Sequence, residues 1–264
     1  MLAHKLLGTV LQMAVCQLDV EQSVYCPAGS LRWKTPNVTA ESRLTGPASR
    51  PAGYPPSALD YLSKALEVGK RILGGESLVL QYYTAVGSSG LVTFAGALPG
   101  EMRAVELDGS SGWYVERNAF VAAETTVRCD IAVTEPHDVS GCSGRTALRR
   151  VTGHGTLLIA DAGSLVELNP ARHGGIVACD PGCVVAFGEQ IRYRDEGDGT
   201  PNASDSGTAS VGNQGVALVT VEGDGTVILQ STTLQGLERA LAFQARSGAE
   251  RKRPLGGFLS GTFD

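Results

Sequence analysis

Short apolar runs set between turn-forming residues constrain this chain more than any other feature. They are clearest from Val151 to Arg194. There Thr156–Ala160, Leu165–Leu168, Ile176–Ala178 and Val184–Phe187 alternate with Gly, Pro, Asn and Asp. Runs this short, bounded by turn formers, are strand signals and cannot make helices. The chain of 264 residues is therefore expected to be mainly β, and all-β folds of this length often form one unit.

The same grammar extends upstream. Val10, Gln12, Ala14, Cys16 and Leu18 alternate, and Ser23–Cys26 and Ser30–Lys34 follow, which reads as a meander of three strands. Residues 45–56 are rich in Pro and Gly and are expected to be loop. Ser57 then offers an N-cap with Asp60 as box partner, and Leu59, Leu62, Leu66 and Leu73 follow at near-helical spacing. A helix over 57–74, ended by Gly74-Gly75, is expected to lie on a sheet with its basic residues in solvent. Residues 76–133 read as strands and 134–150 as loop. Residues 195–213 hold almost no large apolar side chain and are expected to be flexible. Residues 216–230 suggest a hairpin across Gly223-Asp224-Gly225, and Leu234–Ala245 a short helix. The polar, basic tail over 246–264 ends the chain.

Three phrases resemble one another: Ala14–Trp33, Ala104–Glu124 and Leu165–Glu189. Each has a strand ending at Leu18-Asp19, Leu107-Asp108 or Leu168-Asn169. Each continues through a second strand to a turn at Ala28-Gly29, Asn118-Ala119 or Pro181-Gly182, and then a third strand. Glycine-led runs begin at Gly8, Gly90, Gly155 and Gly225. Such recurrence suggests three stacked copies of one β unit, each completing its neighbours' core. The expected organisation is a single domain over 1–245, with repeats at about 5–40 with 76–90, 90–150 and 151–230.

On LDVEQSVYCPAGSL, GGESLVLQYY, LPGEMRAVELDG, GHGTLLIADAGSLVELN and VEGDGTVILQS, the chain resembles the altered-inheritance-of-mitochondria protein twenty-four family. That resemblance implies a fold like the tryptophan RNA-binding attenuator protein, of double-stranded β-helix type. It implies three β units around a pseudo-threefold axis with one or two peripheral helices. It brings no catalytic residues, and it links the mitochondrial branch to inner-membrane organisation.

Chemistry-bearing motifs are sparse. A cupin-like metal site needs His-x-His with further Glu and His, but His4, His137, His154 and His173 are scattered. Cys179 and Cys183 bracket a tight Asp180-Pro181-Gly182 turn. They read first as small buried hydrophobes, with a redox pair or a partial metal site as the alternatives. Gly153-His154-Gly155 and Gly223-Asp224-Gly225 read as hairpin turns. In Tyr82-Tyr83 and Trp113-Tyr114, alternation puts one ring of each pair in the core and the other at the surface or an interface. No catalytic, cofactor-binding or metal-ligating residue is expected, and no cofactor.

Charged residues are 19% of the chain, low enough to leave surface for subunit contacts. The net charge of −5 argues against nucleic acid, which calls for a basic face. No stretch has the length of a membrane span, and the six cysteines are expected to be reduced in a cytoplasmic protein. The expected function is a non-enzymatic, self-associating β scaffold or binding module, a homo-oligomer with an unknown protein partner. The alternatives are a small-molecule or peptide binder, with a pocket near Trp113 or between units, and, behind it, a metal enzyme.

Overall fold

The computed structural model describes residues 1–43, 79–131, 148–195, 218–233 and 236–238. The expected loop over 45–56, helix over 57–74 and tail over 246–264 lie outside these residues, as does the 195–213 loop apart from Asp195. Within the expected helix over Leu234–Ala245, residues 236–238 are described and helical.

The architecture is mainly β. The first strands are β1 (Ala3–Leu7), β2 (Met13–Leu18), β3 (Ser23–Pro27), β4 (Leu31–Lys34), β5 (Val38–Arg43), β6 (Leu80–Ala85) and β7 (Gly90–Ala95). Next come β8 (Met102–Asp108), β9 (Trp113–Glu116), β10 (Phe120–Glu124), β11 (Val127–Ile131) and β12 (Leu148–Ala160). The last are β13 (Leu165–Leu168), β14 (Ile176–Cys179), β15 (Val184–Gly188), β16 (Arg192–Asp195), β17 (Val219–Glu222) and β18 (Val227–Gln230).

Strands consecutive in sequence do not pair with one another here, β1–β2, β5–β6, β11–β12 and β16–β17 apart. Instead β2 and β4 both pair with β7, while β3 and β5 both pair with β6. Likewise β8 and β10 pair with one half of β12, and β9 and β11 with its other half. Finally β13 and β15 pair with β18, and β14 and β16 with β17. All these ladders are antiparallel. Two further ladders join the sets: Ala123 and Glu124 of β10 pair with Tyr25 and Val24 of β3, and Ala186–Gly188 of β15 pair with Val115–Trp113 of β9.

This overturns several expectations. The three opening strands are no meander, because β3 lies in a different sheet from β2 and β4. Gly223–Gly225 makes no hairpin, since β17 and β18 belong to separate sheets. The Gly8 run is not a strand start but the turn between β1 and β2. Leu148–Arg150, expected as loop, begins β12. Gly153-His154-Gly155 lies inside that strand, at the point where it passes from one set of partners to the other. Gly153 (φ 111°) and Gly155 (φ 131°) hold backbone that side chains rarely adopt. A Cβ at Gly153 would sit 2.3 Å from the Thr126 carbonyl oxygen, and one at Gly155 2.7 Å from Glu124 Oε2. Alternation alone cannot distinguish a chain reversal from a strand that changes sheets, because both use glycine.

The core falls into three clusters. One gathers Cys16, Val24, Val38, Tyr83, Val92 and Phe94 from the first strands, and is completed by Val121, Ala122 and Leu158. A central one holds Val105, Val115, Phe120, Leu157 and Ile159, with Tyr25 and Tyr82 on one side and Leu165, Val185 and Ile228 on the other. The third holds Val184, Phe187, Tyr193, Val221 and Val227 with Leu148, and Tyr114 packs on it. Phe187 and Tyr193 stack with centroids 5.3 Å apart. Tyr82 and Tyr83 are both buried, contrary to the alternation argument, because β6 is covered on both faces and each ring enters a different cluster.

Candidate functional site

Among the described residues, a cavity beside the turn joining β3 to β4 and the outer edges of β4 and β14 are open to another molecule. The cavity, of about 300 Å³, is lined by Pro27–Ser30, by Ala95–Ala97 at the end of β7, and by Arg117, Asn118, Phe120, Val121 and Arg149. Its shape follows from the segment between β9 and β10, a single 3-10 turn over Arg117–Ala119 capped by Glu116. Glu116 Oε2 accepts from the backbone N of Asn118 at 2.5 Å and of Ala119 at 3.1 Å, and Oε1 accepts from Asn118 Nδ2 at 3.1 Å. Burial nevertheless pushes the Glu116 carboxyl above its ordinary range, with nearby Asp161 adding to the rise. The facing turn is held by Arg32, whose guanidinium donates to the carbonyls of Gly29 (2.7 Å) and Gly96 (2.9 Å). Arg149 is itself buried, with its guanidinium 5.6 Å from the Phe120 ring centroid. The cavity therefore joins apolar walls to two guanidinium groups and an amide, a lining suited to a small anion with an apolar body.

The outer edge of β4 carries no ladder among the described residues, and neither does that of β14. Trp33 on β4 is 44% exposed and Ile176 on β14 is 57% exposed.

A buried carboxylate, Glu124, closes the opposite end of β10. Its Oε2 accepts from the backbone N of Leu2 (3.1 Å) and of Thr156 (2.7 Å), and its Oε1 from Gln22 Nε2 (3.1 Å). The Thr156 hydroxyl donates on to Glu106 at 2.9 Å. All these donors are fixed backbone or side-chain groups of the chain itself, so the carboxylate ties β1 and β2 to β12. Sequence reading passed over it, although a glutamate ending the apolar run Phe120–Ala123 was the signal that could have flagged it.

The residues weighed for chemistry are dispersed. His4 lies on β1 with Nδ1 3.0 Å from the Leu2 carbonyl, His154 lies within β12 opposite Asp108, and His173 ends a 3-10 turn. His137 is outside the described residues. Among the described residues no group of three or more His, Cys, Asp or Glu side chains is placed to hold a metal ion. Cys179 and Cys183 are free thiols on either side of the turn capped by Asp180. Burial pushes the Cys179 thiol up to about 11, with Cys183 and Asp180 contributing, and those of Cys16 and Cys26 to about 12. Trp113 is half-buried on the central cluster and does not line the cavity.

The family model described as Mitochondrial biogenesis AIM24 matches residues 4–232. The chain belongs to this family. An uncharacterized protein of Streptococcus pyogenes serotype M6 is 26% identical over 231 residues, spanning 85% of this chain and 84% of that protein. The crystal structure of another Streptococcus pyogenes protein shares the fold, with a TM-score of 0.64 and 20% identity, covering 92% of this chain and all of that one. No helix among the described residues is long and apolar enough to cross a membrane.

Proposed function

We propose that this AIM24-family protein is a non-enzymatic, self-associating β scaffold built from one β unit used three times, over about 13–95, 102–160 and 165–230. The pairing order supports the threefold reading. In each unit the first and third strands flank the last, as in β2-β7-β4, β8-β12-β10 and β13-β18-β15. The second and fourth flank the strand or half-strand before it. The register irregularity also recurs at one place, at Leu31/Trp33, Phe120/Ala122 and Val184/Ala186. One β unit repeated three times along the chain, as in the attenuator-like folds, would produce this pattern.

The observation that carries the functional reading is the way units complete one another. A sandwich core here is closed by side chains of the neighbouring unit, and the array ends on exposed edge strands with large apolar side chains at both ends. Exposed edges are templates for further pairing unless they are covered. A cytoplasmic setting agrees with buried thiols held protonated. Light scattering of the purified chain tests the reading. A mass above 27.5 kDa at micromolar concentration is expected, and a strict monomer would overturn it.

A second reading rests on the cavity at Arg117 and Arg149: binding of a small anionic molecule with an apolar body. Thermal-shift screening should then give a stabilising hit that Arg117→Ala removes.

A further inference from the structure

We infer that β4 of one copy of this chain adds as a strand to β14 of another, in the register that the chain already uses twice inside itself. The inference rests on the scaffold reading and names its contact.

The two internal junctions are the same contact. The second strand of one unit meets the third strand of the next, β3 against β10 and β9 against β15. In all three units the spacing across this turn is the same, from Cys26 to Leu31, Val115 to Phe120 and Cys179 to Val184, and Glu116 and Asp180 cap it at the same position. Residues can therefore be matched one to one. Tyr25 corresponds to Tyr114 and Ala178, and Ala123 to Phe187 and Lys34. A chain of three units joined this way has two junctions and leaves one half-junction at each end: the third strand of the first unit, β4, and the second strand of the last, β14. Both lie at sheet edges, as β1, β5, β13 and β16 also do, and β4 and β14 are the edge strands that stand at junction positions of the unit.

Among the described residues, no strand stands in for the missing partner, and burial differs accordingly. Every residue of β10 and of β15 is buried. In β4 the matching Leu31 and Lys34 are only half-buried, and Arg32 and Trp33 are exposed. β14 is half-buried to exposed along its length. Each free edge has the shape of one half of a contact whose other half is the other free edge. A second copy is thus the partner whose backbone spacing and register already fit. Carrying the internal register across places Trp33 opposite Cys179 and Lys34 opposite Ala178, as Ala186 lies opposite Val115 and Phe187 opposite Tyr114. Arg32 then falls beside Asp180, a charge pairing that favours this head-to-tail orientation. Such a contact is heterologous, so each added copy brings its own free edge.

The test uses the full chain. Trp33→Cys places a second thiol opposite the native Cys179, at the spacing of paired strands that a disulfide spans. Mild oxidation should give a covalent dimer on a non-reducing gel, and Cys179→Ser in the same chain should abolish it. Independently, Ala178→Pro removes an edge N–H and Trp33→Asp places a charge in the contact. Each should weaken association at least about tenfold in sedimentation equilibrium. Association that survives both substitutions without the cross-link would leave the scaffold reading standing and overturn this contact. A wild-type chain that stays monomeric at high micromolar concentration would overturn both.

Discussion

β10 and β4 hold the same position in the pairing order yet live in opposite environments. β10, FVAAE, is buried from Phe120 to Glu124, whereas β4, LRWK, is open at Arg32 and Trp33. Each is held on one side by a long partner, β12 or β7, with the same irregularity one residue in. The difference lies on the other side, where β10 meets β3 and β4 meets no strand among the described residues. The strand position therefore does not set burial; the neighbour does. The residue types follow, since alanines fill the tight junction while cationic side chains occupy the edge, where they discourage indiscriminate pairing.

The strongest way to break this comparison is to move the edge chemistry inward. Ala122→Lys puts an unpaired charge into a closed core and should cost about 4 kcal/mol or more, read as loss of the cooperative urea transition. Phe187→Ala on β15, the other junction strand, removes a ring stacked on Tyr193 and tilted against Tyr114. It should lower unfolding free energy by about 3–5 kcal/mol. Glu124→Ala leaves the amides of Leu2 and Thr156 without their acceptor and should cost about 1–3 kcal/mol, with Glu124→Gln recovering part of it. Trp33→Lys on β4 should change the unfolding free energy of the isolated monomer by no more than about 0.5 kcal/mol, because the side chain is already in solvent. Equal penalties for Ala122→Lys and Trp33→Lys would contradict the contrast between the two strands.

A pH experiment sharpens the same contrast between closed and open regions. Asp161 is buried, and burial raises its carboxyl above the ordinary value. The folded chain then binds its proton more tightly than the unfolded chain does. Its contribution to stability falls as pH rises from the ordinary carboxylate value through the raised folded one, and stays low above it. Asp161→Asn keeps an acceptor for the Ala162 amide and removes that loss. The variant should therefore have the higher urea midpoint at neutral pH, with the advantage vanishing toward acid.

Much of the β architecture was legible because strands and turns are local. The strand ends at Leu18, Asp108 and Leu168 and the turns after Pro27, Glu116 and Cys179 stand where the three phrases put them. Family membership was legible too, carried by the order of weak glycine and strand motifs. The partners of those strands were not. Gly153, Gly155 and Gly223 looked like hairpin glycines, yet each marks a passage between sheets. The candidate cavity was equally hidden, since its lining comes from two turns about ninety residues apart in sequence, Pro27–Ser30 and Arg117–Asn118. Arg149 reads as part of a basic doublet, and only the fold lays it against Phe120.

By itself, the sequence determined that this protein is made of short strands punctuated by turns, because periodicity and turn chemistry act over a few residues. Only the tertiary structure decided which strands meet and which edges stay open, because pairing joins segments far apart in the chain. The alternation that marks β10 and β4 alike as strands contains no record of the neighbour that buries one and leaves the other exposed.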